Sequence, residues 1–484
     1  MRALFASVAI LLSMLWSLAA PAATFYVDPV LGSDSYDGRG TNASGTTNRP
    51  FLTISRALDA SGTSAGPGDT VYLRGGVYRG NTNATYCMPA NIAANGTEDQ
   101  PIAVVAYQNE RPIIKGSQVA RGPWVQVTGA EFTTNGFPAA GSNYIYKLEH
   151  WMCDTNGKLM LSYGQWSYLS NPQQVFVSAS ETNDGASLIQ VSWPTSTNTT
   201  PPSSQFARNW GTAPPISIYQ GIDGTESNMF AGSFYYREVT NAPGISDVST
   251  VYVWLSDNSN PTNHVVEIST STFVLGSLSG GGNYINYTNL AFRHSNQAAW
   301  GQGGGVIGVG AGGIMDSCDI QWLDYVGINV GPDGAITRST ISHIGRLGLS
   351  ANAGARVDSC YMSACNYRNF AIGWEAGAIK QLFGSAGALI QNCEFTGNYG
   401  VSIWFDSVNQ TNEVASIVRH NYIHNNVGFS EWEWDGPNYV TNRAMPQIQL
   451  EASRNVLVYN NLLVSNSTYS ITLPGAQNCQ VYNN

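Results

Sequence analysis

The sequence predicts an all-β chain, a right-handed parallel β-helix (a solenoid) that carries an inserted antiparallel β-rich subdomain. Three observations lead there: a coil-length repeat in the C-terminal half, a composition rich in small polar turn residues, and a central stretch where the repeat fades. The repeat is clearest in the apolar residue that follows a Cys or Asn anchor, at Ile320, Ile341, Met362, Phe395, Ile423 and Leu463. The separations are 21, 21, 33, 28 and 40 residues. Periods of this size signal stacked repeats. A spacing of 21 is one coil; the longer ones read as a coil with an inserted loop, because a loop tolerates added residues and a stacked strand does not. Short alternating runs such as Ile328–Val330 and Ile471–Leu473 supply strands, with Gly or Asn at the corners. Polar runs at 420–426 and 458–461 fit corner ladders in which side-chain amides satisfy backbone groups. A β-sandwich would show turns every 8 to 12 residues or so without this shared register.

Composition agrees. Charged residues make up only 11% of the chain, against about 25% in ordinary globular proteins. Disorder usually combines low hydrophobicity with high net charge, and here 43% of residues are hydrophobic. The net charge of −10 speaks against a nucleic-acid partner, since such a partner needs a basic patch to neutralise phosphates. It also disfavours an acidic polymer unless Ca²⁺ bridges the like charges. The seven cysteines are not spaced as paired zinc ligands. Cys318, Cys360, Cys393 and Cys479 share an Asp-Ser or Gln-Asn context and are expected at one recurrent inward position.

Along the chain, Met1-Arg2, an apolar run over 3–19 and the Ala20-Pro21-Ala22 cleavage pattern make residues 1–22 a signal peptide. The mature protein is therefore expected to be secreted or periplasmic. No later stretch approaches the roughly 20 apolar residues of a membrane span. Residues 23–150 read as the N-terminal cap and first coils. Thr24–Asp28 is a strand, 49–58 an entry turn with a short amphipathic helix, and 68–79 a strand, a turn and a strand. Residues 151–270 read as the insertion, with hairpin strands at 173–177, 233–236 and 251–255. Residues 271–484 are the main coils. The chain stops mid-coil at Val481–Asn484, which predicts a further C-terminal portion in the natural protein.

Chemistry concentrates in two matched strands. Ile403-Trp404-Phe405-Asp406 and Ile448-Gln449-Leu450-Glu451 share the order apolar, x, apolar, acid, and each is followed by a small residue. If the residues from about 431 to 445 form a loop, the two lie on adjacent coils in one register. Stacked strands lie about 4.8 Å apart, so the two carboxyls would stand close to the roughly 5 Å that retaining glycosidases use. The plainer reading is that any two solvated acids on a solenoid face would stack. Other features favour chemistry. Trp374, Glu375 and Lys380 precede the pair, and Glu431, Trp432, Glu433, Trp434 and Asp435 crowd the expected loop. With Trp404, these indoles suit sugar stacking beside carboxylates. A buried core tryptophan is the commoner role for each ring taken singly.

The opening Phe-Tyr-Val-Asp, Arg-Pro-Phe-Leu-Thr-Ile and Gly-Asp-Thr-Val-Tyr-Leu-Arg-Gly-Gly-Val-Tyr-Arg runs resemble the start of pectate-lyase-like β-helix proteins. The Glu375–Lys380, Trp404–Asp406 and Leu450-Glu451 series further resembles glycoside hydrolase family 120, the β-xylosidase type. That family also carries a β-rich insertion. The resemblance implies a hydrolase of polysaccharides or oligosaccharides without a cofactor or metal. It implies Asp406 as nucleophile, Glu451 as acid/base and Glu375 as a supporting acid. Trp374, Lys380, Trp404, Trp432 and Trp434 would line the sugar. The gap between Asp406 and Glu451 is longer than the family's compact spacing, which keeps Glu431 and Glu433 as alternative acid/base residues. A polysaccharide lyase, with Lys380, Arg368 or Arg419 as base and Ca²⁺ on a uronate polymer, is the second reading. A non-catalytic carbohydrate-binding solenoid is the third. Asp28, Asp34 and Asp37 read as turn residues, and His420 and His424 as ladder residues.

Overall fold

The structure, a computed structural model, describes residues 22–42, 48–80, 87–149, 151, 172–192, 221–223, 225–237, 250–296, 305–368, 372–373, 376–382, 385–409, 414–435 and 438–484. Three long sheets run through the described residues, one of eleven strands and two of nine, and every strand pair within them is parallel. The chain visits the three in turn, first the eleven-stranded sheet, second the nine-stranded sheet that holds Asp319–Gln321, third the one that holds Val401–Asp406, so each full coil contributes one strand to each. That is a parallel β-helix. The apolar repeat is its register: Ile320 pairs with Ile341, Ile341 with Met362, Met362 with Phe395, Phe395 with Ile423 and Ile423 with Leu463. The spacings above 21 are absorbed between strands, leaving this column unbroken. From Ile320 to Ile423 its members are fully buried in one continuous core.

The corner between the first and second sheets is two residues long and repeats in kind. Its first residue takes a positive φ, as at Ser317, Ser359, Asn392, His420 and Asn460. Left-handed backbone turns the chain sharply, and short polar side chains tolerate it better than bulky ones. Its second residue points inward. There Cys393 N–H donates to Asn421 Oδ1 at 3.0 Å, Asn421 N–H to Asn461 Oδ1 at 3.1 Å, and Asn461 N–H to Asn484 Oδ1 at 3.1 Å. A second ladder climbs the next corner, with Cys365, Asn398 and Asn426 N–H groups donating to Asn398, Asn426 and Asn466. Buried amides that bond both ways remove the cost of burying corner backbone. Cys318, Cys360 and Cys393 occupy the first ladder, but Cys479 does not. It precedes the strand Gln480–Tyr482, whose Gln480 pairs with Leu457, and the ladder's member in that coil is Asn484. The Gln-Asn-Cys context recurs at two different corners, which is why the sequence pattern merges them. The six cysteines described are free thiols, and Cys153 lies outside the described residues.

The N-terminal elements follow the expected order: strand Thr24–Val27, helix Ile54–Ala57, and strands Thr70–Leu73 and Gly76–Arg79. Thr53 caps the helix through its hydroxyl. Asp28, Asp34 and Asp37 accept backbone N–H groups in the surrounding turns, as expected of turn residues. Among the described residues between Ser117 and Ser269, the strands build two other sheets, of four and six strands. Strands before position 151 take part: Ser117–Val119 pairs with Val265–Ser269, and Ile145–Glu149 with Thr250–Trp254. The pairing is antiparallel except where Ile189–Ser192 lies parallel to both its neighbours. Buried polar groups tie this part to the coils. Lys115 Nζ meets Glu267 Oε2 at 2.8 Å with both side chains fully buried, and Arg368 bonds Asp324, Gln173 and Gln190. Glu267 also pairs with Arg79.

Replacing Asn421 with Ala removes an acceptor from Cys393 N–H and leaves buried backbone unpaired. Each such group costs roughly 1–3 kcal/mol. The variant is expected to melt several degrees below the parent in a thermal scan, whereas Asn460→Ala, at the exposed corner, shifts far less.

Candidate active site

The third sheet carries the matched strands. Val401–Asp406 and Ile448–Glu451 are parallel neighbours, with Ile403 opposite Ile448, Trp404 opposite Gln449, Phe405 opposite Leu450 and Asp406 opposite Glu451. Alternation sends Ile403, Phe405, Ile448 and Leu450 into the core, so the intervening residues and the two acids face outward. The preceding strand Gly377–Leu382 places Lys380 beside Trp404 and Leu382 beside Asp406. Both acid strands end in the same way. Ser407 and Ala452 have φ of 56° and 45°, and Ser407 N–H donates to the Glu451 carbonyl at 2.8 Å. The small residue after each acid is therefore a left-handed turn, which stops the strand with its carboxyl at the rim.

The outward groups are interlocked. Lys380 Nζ stands 3.1 Å from Asp406 Oδ2 and 3.6 Å from the centre of the Trp404 ring. Trp404 Nε1–H donates to Glu451 Oε2 at 3.1 Å, and Gln449 Nε2–H donates to the same oxygen at 2.9 Å. Ser407 Oγ donates to Asp406 Oδ1 at 3.2 Å. Lys380, Trp404, Asp406, Gln449 and Glu451 line one cavity of about 620 Å³. Arg443 to Pro446 form another part of its wall, and Tyr469, Thr472 and Pro474 come from the following coil.

The loop expected between the acid strands is a β-hairpin. Phe429–Asp435 runs antiparallel to Asn438–Ala444, with Ser430 opposite Arg443 and Asp435 opposite Asn438. Glu431, Trp432, Glu433 and Trp434 sit on its outgoing limb, and their side chains lie outside the described set. Trp374 and Glu375 lie outside the described residues altogether. The structure thus brings together Asp406, Glu451, Lys380 and Trp404. Trp404 differs from the open stacking ring the sequence suggests. It is 4% exposed, packed with Ile372, Val401 and Met445, and covered by an ammonium. Outward residues of a solenoid can still be buried by loops laid over the sheet. Lys380 is likewise 4% exposed and engaged with Asp406.

Neither arginine named as a lyase base lines the cavity. Arg368 is held in the buried cluster with Asp324, and Arg419 lies on the first sheet bonded to Gln391 and Tyr459. His424 lies 3.0 Å from Glu394 and His420 takes the first position of a corner, whereas the ladders pass through their neighbours Asn421 and Asn426. Gln449 is the contributor that sequence reasoning missed. Its signal was its place in the apolar-x-apolar-acid pattern, on the rung of Trp404. Arg443 and Tyr469 carried no comparable signal.

This architecture is a right-handed parallel β-helix. The family described as right handed beta helix region matches residues 304–484, less than half the chain. Pectate lyase PEL9 of Emericella nidulans is 35% identical over 105 residues, 22% of this chain, and the match spans about a fifth (21%) of that protein's length. A solved complex of XylC with xylose superposes with a TM-score of 0.59 at 17% identity, over 94% of this chain and 70% of that one. A further solved structure, described as a glycoside hydrolase, gives 0.46 at 12% identity over 94% and 97%. XylC shares the fold with this chain. PEL9 is by name a pectate lyase, and XylC was solved with xylose bound.

The left-handed turn after Glu451 gives a test of local placement. Ala452→Val puts a β-branched residue at positive φ, which costs on the order of 1–3 kcal/mol. Ala452→Asn is expected to melt close to the parent, and Ala452→Val well below it.

Proposed function

We propose that the chain is a carbohydrate-active enzyme, a glycoside hydrolase that cleaves a polysaccharide or oligosaccharide with retention, using Asp406 and Glu451. The observation that carries this reading is their in-register pairing at the outward end of adjacent strands in one cavity. Strand spacing of about 4.8 Å suits the roughly 5–5.5 Å between the carboxyls of a retaining pair. Asp406 is the nucleophile. It is the member ion-paired to Lys380, and a nucleophile must attack as an anion. Glu451 is the acid/base, steered by two neutral N–H donors. Attack by Asp406 at the anomeric carbon displaces the leaving oxygen, which takes the Glu451 proton. Water, deprotonated by Glu451, then releases the sugar from Asp406. No cofactor enters this scheme. The resemblance to family 120 supports a xylo-type sugar, and the apolar N-terminal run supports export.

A polysaccharide lyase is the second reading, supported by the PEL9 match. Lys380 would be its base, and the ion pair with Asp406 weighs against that role. A screen of neutral aryl glycosides and uronate polymers, with and without chelator, separates the readings. The expected result is chelator-resistant hydrolysis of a neutral glycoside. Asp406→Asn is expected to lose on the order of 10³-fold or more in kcat. Calcium-dependent release of an ultraviolet-absorbing unsaturated product would decide for the lyase. A chain inert on every substrate whose Asp406→Asn form differs only in stability would decide for a binding solenoid.

A further inference from the structure

During the proposed cycle the negative charge changes place. Before attack it sits on Asp406, with the proton on Glu451. When the Asp406–carbon bond forms and the leaving oxygen takes that proton, Asp406 becomes a neutral ester and Glu451 the anion. Hydrolysis returns the charge to Asp406. A site of this kind needs one stabilising device on each rung, and a way to keep the two from collapsing onto a single carboxylate.

Trp404 touches both. Its ring face lies under Lys380 Nζ, whose charge is directed at Asp406, and its edge N–H is directed at Glu451. The indole itself is locked by burial against Ile372, Val401 and Met445. A ring held on its outer side by the hairpin base and on its strand by β-pairing cannot follow one partner away from the other. We propose that Trp404 is a positioning residue with two tasks: its face seats the Lys380 ammonium beside Asp406, and its Nε1–H holds Glu451 ready for its turn as the anion. Gln449, on the same rung of the next strand, shares the second task. This inference rests on the two-carboxylate reading for its catalytic meaning, while the placement itself can be read without turnover.

Among the described residues, the charged and titratable groups lining the cavity around Glu451 are Asp406 on the adjacent rung, Lys380 one strand further, Arg443 from the hairpin and Tyr469 from the next coil. Trp404→Phe keeps a ring face for Lys380 and removes the N–H. A carboxylate that loses a donor is less stable as an anion, so it keeps its proton to higher pH. The midpoint of the basic limb of the kcat/KM profile is therefore expected to move up relative to the parent. Gln449→Leu moves the same limb in the same direction. Lys380→Met removes the cation beside Asp406 and moves the acidic limb up instead. The same midpoint is read directly by carboxyl NMR on protein labelled with ¹³C-glutamate, with the Glu451 signal assigned through Glu451→Gln. An upward shift in Trp404→Phe supports the proposal. An unchanged Glu451 midpoint in a folded Trp404→Phe protein overturns the proposal, since the Nε1–H would then hold nothing at Glu451. If no glycoside is hydrolysed, the reaction reading falls while the NMR midpoint still decides the placement.

Discussion

Everything in this molecule depends on parallel strands stacking in register at about 4.8 Å. A parallel ladder repeats each side chain above its counterpart one coil away, so an inward apolar residue meets another apolar residue and an outward acid meets an outward acid. The first consequence is the core, a column of Ile, Met and Phe from Ile320 to Ile423. The second is the site, where the same rule sets Asp406 beside Glu451. Neither placement needs a special loop to hold it. Side chains mounted on stacked strands inherit the rigidity of those strands, which is what the proposed two-carboxylate reaction would require.

Stacking acids also has a cost. Two like charges one rung apart repel, and a chain with only 22 basic residues against 32 acidic ones has few cations to spare. The structure answers locally. One ammonium sits at Asp406, and two N–H donors sit at Glu451. These groups come from three successive strands, Gly377–Leu382, Val401–Asp406 and Ile448–Glu451. The site is therefore a property of three coils together.

Much of this was legible in the residues. The column of anchors could be read through spacings of 33, 28 and 40 because insertions fall at corners and leave strand-to-strand pairing intact. The paired acids could be read because both strands repeat the same order of apolar and polar positions. What escaped has physical reasons. Cys479 looked like a ladder residue because two corners use the same Gln-Asn lead, and only the strand that follows it, with Gln480 paired to Leu457, separates them. Trp404 looked open because alternation says which residues point away from the core, not what is laid over them afterwards. The start of the insertion was hidden because Ser117–Val119 and Ile145–Glu149 alternate as any strand does, and their partners lie far along the chain.

The 40-residue spacing before Leu463 has a structural meaning of its own. It is the coil that carries the hairpin Phe429–Ala444, and the end of that hairpin supplies Arg443 to Pro446 to the cavity wall. A bare β-helix face is a shallow surface that would leave carboxylates in bulk water, where their fields are weak. Lengthening one corner converts that face into a concave site without disturbing a strand, since loop closure grows only slowly more costly with length. The hairpin lies in sequence between the two acids it borders. A chain that encloses its site in this way must place more residues between the paired carboxylates than one bare coil holds, so the hairpin accounts for most of the long interval from Asp406 to Glu451.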